Sequence, residues 1–194
     1  MLGSITPLGE RGRNQRWGVT VAALALGSVA AGAGLGAILG WAGERLPAGE
    51  EPLWVLAGLV ALGAALDLRL LGSRLPTVRR QVNEEWLGRY RGWVYGAGFG
   101  FQLGLGVATI VTVSAVYAAL AAAFLSGSTA AGATVGGAFG AVRAGTALAG
   151  ARVRTPRELV ALDGLLRRWE APSLRVALAA EGGILAAALA LAAL

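Results

Sequence analysis

The sequence predicts an all-α polytopic membrane protein, a bundle of about five transmembrane helices with two cytoplasmic interfacial amphipathic helices. Three observations carry this. Apolar runs of about twenty residues follow one another along a chain of 194 residues that is 56% hydrophobic and 14% charged, with a mean hydropathy of +0.63. Glycines recur at intervals of four, which is how helices close on one another in lipid, where burying apolar side chains gains nothing. Arginines gather on one side of the predicted bilayer. The whole chain, 1–194, reads as a single integral membrane domain.

The first span is 17–43, with its own stripe of Gly32, Gly36 and Gly40. It follows a short polar segment ending in Arg11, Arg13 and Arg16, and it is too long for the apolar core of a signal peptide, about 7–15 residues, so it reads as a retained helix. A turn from Glu44 to Pro52 leads to the second span, 53–72. Leu75, Val78, Val82, Trp86 and Tyr90 then recur at three- and four-residue spacing, which predicts an interfacial helix over 75–90.

The third span, 93–125, is longer than a bilayer core of roughly 30 Å requires and must be tilted, or broken in its glycine-rich first third. Its stripe is Gly92, Gly96, Gly100 and Gly104. The fourth span, 129–150, carries Gly132, Gly136 and Gly140. Together the third and fourth spans read as a hairpin at the centre of the bundle, packed through these glycines. Thr155-Pro156-Arg157-Glu158 makes a capping box that opens a second interfacial helix, 156–169, and the fifth span is 173–194.

Every one of the seventeen basic residues is arginine, and the net charge is +6. With the N-terminus in the cytoplasm, only Arg45 falls outside and Arg143 within the membrane. This places the chain in a bacterial inner (plasma) membrane with an external C-terminus. Trp17, Trp54, Trp86, Trp93 and Trp169 sit where spans meet headgroups or on interfacial helices. That is an aromatic belt and not a stacking platform, so the expected partner of the basic surface is a bilayer with anionic headgroups, and no nucleic acid.

Cysteine and histidine are absent. This excludes disulfides, thiol relays and imidazole chemistry, and the sequence points to no metal and no cofactor. No nucleophile and base stand together, so an enzyme is not expected. Chemistry is left to three polar groups at similar depth in the apolar spans. Glu181 lies about 12 Å in from the inner boundary, Arg143 about 10 Å and Gln102 about 14 Å. An unpaired charge at mid-membrane costs about 2.5–3.5 kcal/mol. Arg143 and Glu181 are therefore expected to face each other as a salt bridge, with Gln102 beside them. Asp67 competes for Arg143, or pairs locally with Arg69. The group reads either as a substrate or proton site, or as an internal tie between the fourth and fifth helices. Thr109, Thr112, Ser114 and Tyr117 on the third span read as packing residues.

The run G-F-G-F-Q-L-G-L-G-V-A at 98–108, the segment A-A-L-A-A-A-F-L-S-G-S-T-A-A-G-A after it and a glycine-rich span ending near Arg143 resemble the second half of the CcdA/DsbD family of transmembrane electron carriers. In outline the chain is also similar to LysE-like small membrane exporters. The resemblance implies a compact bundle around a membrane-embedded cavity. It does not carry the activity: where that family places a Pro-Cys pair this chain looks to have Val107 and Ala108, and the family's cysteine-bearing first helix looks shortened to residues 1–16.

Two functions remain open. One is a small transporter or exporter of a small solute or ion, working as a homo-oligomer, in which Arg143 attracts an anion and Glu181 couples protons. The other is a non-catalytic membrane subunit or assembly scaffold whose glycine faces dock other membrane proteins.

Overall fold

The computed structural model describes residues 4–45, 51–70, 85–109, 111 and 113–192. Among them every regular element is helical. In chain order these are α1 (Pro7–Gly12), α2 (Trp17–Gly43), α3 (Glu51–Asp67), α4 (Glu85–Arg89), α5 (Gly92–Gly104), α6 (Ala115–Leu125), α7 (Thr129–Gly145), a 3-10 turn (Thr146–Gly150) and α8 (Pro156–Ala192). Among the described residues two stretches are long and apolar enough to cross a bilayer, Trp17–Gly43 and Ala171–Ala190. Residues 71–84, most of the interfacial helix expected over 75–90, lie outside the described residues, as do Thr112, the turn 46–50 and the last two residues.

The centre of the fold is α2, and this corrects the expectation of a hairpin between the third and fourth spans. Each glycine stripe of those spans packs on α2. A Cβ at Gly32 or Gly36 would overlap the carbonyls of Gly136 and Gly132, and one at Gly40 would overlap that of Ser128. The contacts run in opposite order along the two chains, so α7 lies antiparallel to α2. On the other side, Gly96, Gly100 and Gly104 sit against the carbonyls of Thr20, Leu24 and Ser28 in the same order, so α5 is parallel to α2. Spacing of four defines a smooth face but does not say which partner fills it. Ser28 serves both neighbours, since its Oγ donates to the Gly140 carbonyl at 2.8 Å and its own carbonyl sits against Gly104 and Gly140.

The third span is broken, one of the two ways its excess length could be taken up. The break follows α5 rather than falling within it. Gly104 faces Ser28 and Phe124 faces Gly43, so twenty residues of the third span cover the distance that fifteen residues of α2 cover. The surplus is taken up between α5 and α6, where Gly106 has φ +72°, a conformation that glycine adopts freely.

Two boundaries also move. The second span ends as a helix at Asp67, not at 72: Arg69 takes φ +57°, its N–H bonds to the Leu66 carbonyl and the Leu70 N–H to that of Ala65. This is the Schellman closure, with arginine in the place glycine usually holds. The interfacial helix 156–169 and the fifth span 173–194 are one helix of 37 residues. It runs through Pro172, whose ring fixes a helical φ but removes one N–H bond and crowds the carbonyl four residues before it. Its start is the capping box expected: Glu158 N–H donates to Thr155 Oγ1 at 3.3 Å, and Thr155 N–H to Glu158 Oε2 at 2.9 Å.

The main apolar cluster lies at one end of the bundle, where Ile5, Val21, Leu24, Tyr95, Phe99, Ala144 and Ala147 meet. Trp86 stacks on Phe99 at 6.2 Å there. Helices α3 and α8 pack on each other, and α3 also packs on α6.

Candidate functional site

The Schellman closure of α3 leaves Asp67 on its last turn, facing the start of α6. There Asp67 Oδ2 accepts the backbone N–H of Ser114 at 2.8 Å and stands 3.0 Å from Ser114 Oγ. Glu181, from the middle of α8, brings Oε1 to the same hydroxyl. Three elements distant in sequence thus place two carboxyl groups on one serine, which is 3% exposed; Glu181 is 1% exposed. The second oxygen of Glu181, Oε2, is buried without a hydrogen-bond partner.

Ser114 also lines a cavity of about 300 Å³ between α3 and α6, walled by Leu59, Val60, Leu66, Tyr117 and Ala118 among others. A hole lined by apolar groups with one polar corner is the usual form of a small-ligand site. The approach of α3 is tight here: a Cβ on Gly63 would lie 2.8 Å from that of Ser114.

The expected salt bridge between Arg143 and Glu181 does not form. Arg143, on α7, donates to Thr109 Oγ1 at 2.9 Å and to the Gly106 carbonyl at 3.5 Å, with its guanidinium 5.5 Å from the Phe139 ring centre. It therefore buttresses the break between α5 and α6. Equal depth along straight helices had suggested the pairing. The break carries Thr109 and the Gly106 carbonyl to Arg143, and it brings Ser114, further along the chain, to Glu181. Asp67 pairs neither with Arg143 nor with Arg69, because Ser114 supplies both of its donors. Gln102 is half-buried on α5 and joins neither group. Ser114, which reads as a packing residue from sequence, is the hub; its position near the end of an over-long span is the signal that could have found it.

A second polar centre is absent from the sequence reading. Glu10 on α1 is fully buried. It accepts from Thr20 Oγ1, Tyr95 Oη and the Arg13 guanidinium, each at 2.6 Å. The Gly92 N–H donates to Gln15 Oε1 at 2.9 Å, and the Leu8 N–H to the Val153 carbonyl at 3.0 Å. Residues 4–16 are thus folded across the ends of α2 and α5. The signal was present in Thr6-Pro7, since Thr6 caps α1 by accepting the Gly9 N–H at 3.2 Å.

Fold and site together define an all-helical, glycine-packed bundle with two helices able to cross a membrane and a carboxyl pair beside an apolar cavity. The chain is similar to the methylamine utilization protein MauF of Methylorubrum extorquens, with 37% identity over 112 residues. The match covers 56% of this chain and 39% of that protein, so the chain spans well under half the length of its relative. No family model matches the chain, and no solved structure matches it.

Proposed function

We propose that the protein is a small transporter or exporter of a small solute or ion in a bacterial inner membrane, working as a homo-oligomer. The observation that carries the reading is the cavity of about 300 Å³ at Ser114, where a broken helix, two carboxyl groups and an apolar wall meet. Broken helices around a site are a recurrent device of transporters, because irregular backbone is tolerated where it lines a cavity. In this reading α2 and the second half of α8 cross the membrane. Helix α3, the α5–α6 pair and α7 complete five spans, with the N-terminus cytoplasmic and the C-terminus external. The exposed Arg11, Arg16, Arg89, Arg91, Arg152, Arg154 and Arg157 then meet anionic headgroups.

The break also suits the CcdA/DsbD-like architecture that we retain as part of this proposal, since Val107 and Ala108 lie within it. The name of the relative makes methylammonium the first solute to try, followed by ammonium, acetate and glycine. The test is flux into vesicles reconstituted with the full chain, read by light scattering after an osmotic jump. Flux of one of these solutes, lost in Leu66→Trp, which fills the cavity, supports the reading. Rates equal to empty vesicles for all four count against it.

The alternative, a non-catalytic subunit or assembly scaffold, draws on the apolar side chains that α8 leaves exposed, among them Val160, Leu165, Trp169 and Val176. It predicts stoichiometric membrane partners on mild detergent extraction, and their loss on Val160→Glu combined with Val176→Glu.

A further inference from the structure

We propose that Asp67, Ser114 and Glu181 form a proton-binding site, in which one proton is shared by two carboxyl groups through a serine hydroxyl, and that H⁺ is the ion to which transport is coupled. The proposal deepens the transport reading of the same site and rests on it for the coupling.

The first support is a count of hydrogens. A serine hydroxyl donates one hydrogen, and an ionised carboxylate donates none. Ser114 Oγ nevertheless stands at hydrogen-bond distance from Asp67 Oδ2 and from Glu181 Oε1. With both carboxyls ionised, one of the two contacts would set lone pair against lone pair. A proton on Glu181 removes the conflict: Glu181 donates to Ser114 Oγ, and Ser114 donates to Asp67. Asp67 then keeps its charge with two donors, the Ser114 hydroxyl and N–H.

Charge and burial give independent support. Glu181 is 1% exposed and its Oε2 has no partner, an arrangement far less costly for a neutral acid than for an anion. Among the described residues no arginine lies within ion-pair distance of either carboxyl. On α7, which packs on α6, Arg143 is held by Thr109 Oγ1 and the Gly106 carbonyl. On α6 the one titratable side chain is Tyr117, and beyond α3 and along α8 the nearest arginines, Arg69 and Arg175, are exposed. Spacing favours H⁺ over a metal cation as the occupant. Oxygens bridged by a proton approach to about 2.5–3.0 Å, whereas oxygens sharing a hard cation each stand about 2.3–2.6 Å from it and so further from one another. The hydroxyl that bridges the pair is also the polar corner of the cavity, so solute entering there is one hydroxyl away from the proton.

The test is infrared difference spectroscopy of the full chain in lipid vesicles, titrated through neutral pH in H₂O and D₂O. We expect a C=O stretch of a protonated carboxylic acid near pH 7 that shifts in D₂O, is absent in Glu181→Gln, is displaced in frequency in Ser114→Ala, and is unchanged in Glu158→Gln. Glu181→Gln has the shape of the protonated acid, so the fold is kept; Ser114→Ala reports on the hydroxyl bridge separately. No such band, a band that survives Glu181→Gln, or a band abolished by sodium chloride at constant pH would overturn the proposal. Flux is measured on the same vesicles. A band without flux retains the proton site and removes the transport reading; flux without the band does the reverse.

Discussion

The two sides of α2 and the α3–α8 flank are built on opposite plans. Around α2, glycines on three helices bring backbone against backbone, and the buried hydroxyls of Thr20 and Ser28 are spent on Glu10 and on the neighbouring carbonyl of Gly140. On the flank a cavity remains beside the close approach of Gly63 to Ser114, and two carboxyls meet at a single hydroxyl. A region packed backbone to backbone has no slack for a side chain, whereas the flank keeps open volume beside its polar groups. In the transport reading proposed above, the first is the scaffold and the second the moving part.

The largest expected effect breaks the scaffold. Gly36→Ala forces a Cβ into the Gly132 carbonyl, and should destabilise by about 1–3 kcal/mol or more. Gly34→Ala meets nothing within 4 Å and should stabilise by about 0.5–1 kcal/mol through helix propensity. Melting in detergent separates the two, and similar melting temperatures would remove the contrast.

Comparable in size is Glu10→Ala. Removing a fully buried carboxylate from its three donors leaves Arg13 without its partner, at a cost of about 3–5 kcal/mol where a buried pair is broken outright. Arg13 is partly exposed, so the lower end is expected. Limited proteolysis within residues 4–16 should rise with it. Ser28→Ala should cost about 1 kcal/mol, the net worth of one hydrogen bond, in the same melting assay.

The smallest effect lies outside both regions. The Thr129 hydroxyl and N–H hold the Glu44 carboxyl below the usual carboxylate value, and the Arg154 and Thr155 N–H groups do the same for Glu158. Both groups are exposed. A folded value below the unfolded one means stabilisation that is complete above about pH 4–5 and is lost as the pH falls through the folded value. Glu44→Gln with Glu158→Gln should flatten the acid limb of the melting profile and leave neutral pH nearly unchanged.

How much of this was legible in the sequence depended on range. Local signals held: glycine spacing marked the packed faces, the excess length of the third span called for a tilt or a break, and Thr155-Pro156-Arg157-Glu158 capped α8. Longer-range partners did not follow. A glycine stripe has no label for the helix it meets, so α5 and α7 were matched to each other instead of to α2. Depth counted along straight helices matched Arg143 to Glu181, and the break at 105–114 rearranged both. Residues 170–172 fall between the two predicted helices 156–169 and 173–194, yet α8 continues through Pro172. Glu10 sat in a polar stretch that reads as a tail because its partners, Thr20 and Tyr95, are 10 and 85 residues away.

The central claim is that Glu181 is held by Ser114 and not by Arg143, and a pair of double-mutant cycles on unfolding free energy tests it most directly. Ser114→Ala with Glu181→Leu should show a coupling of about 0.5–3 kcal/mol, whereas Arg143→Leu with Glu181→Leu should be additive to within about 0.5 kcal/mol. The reverse result, coupling to Arg143 and additivity with Ser114, would contradict the account.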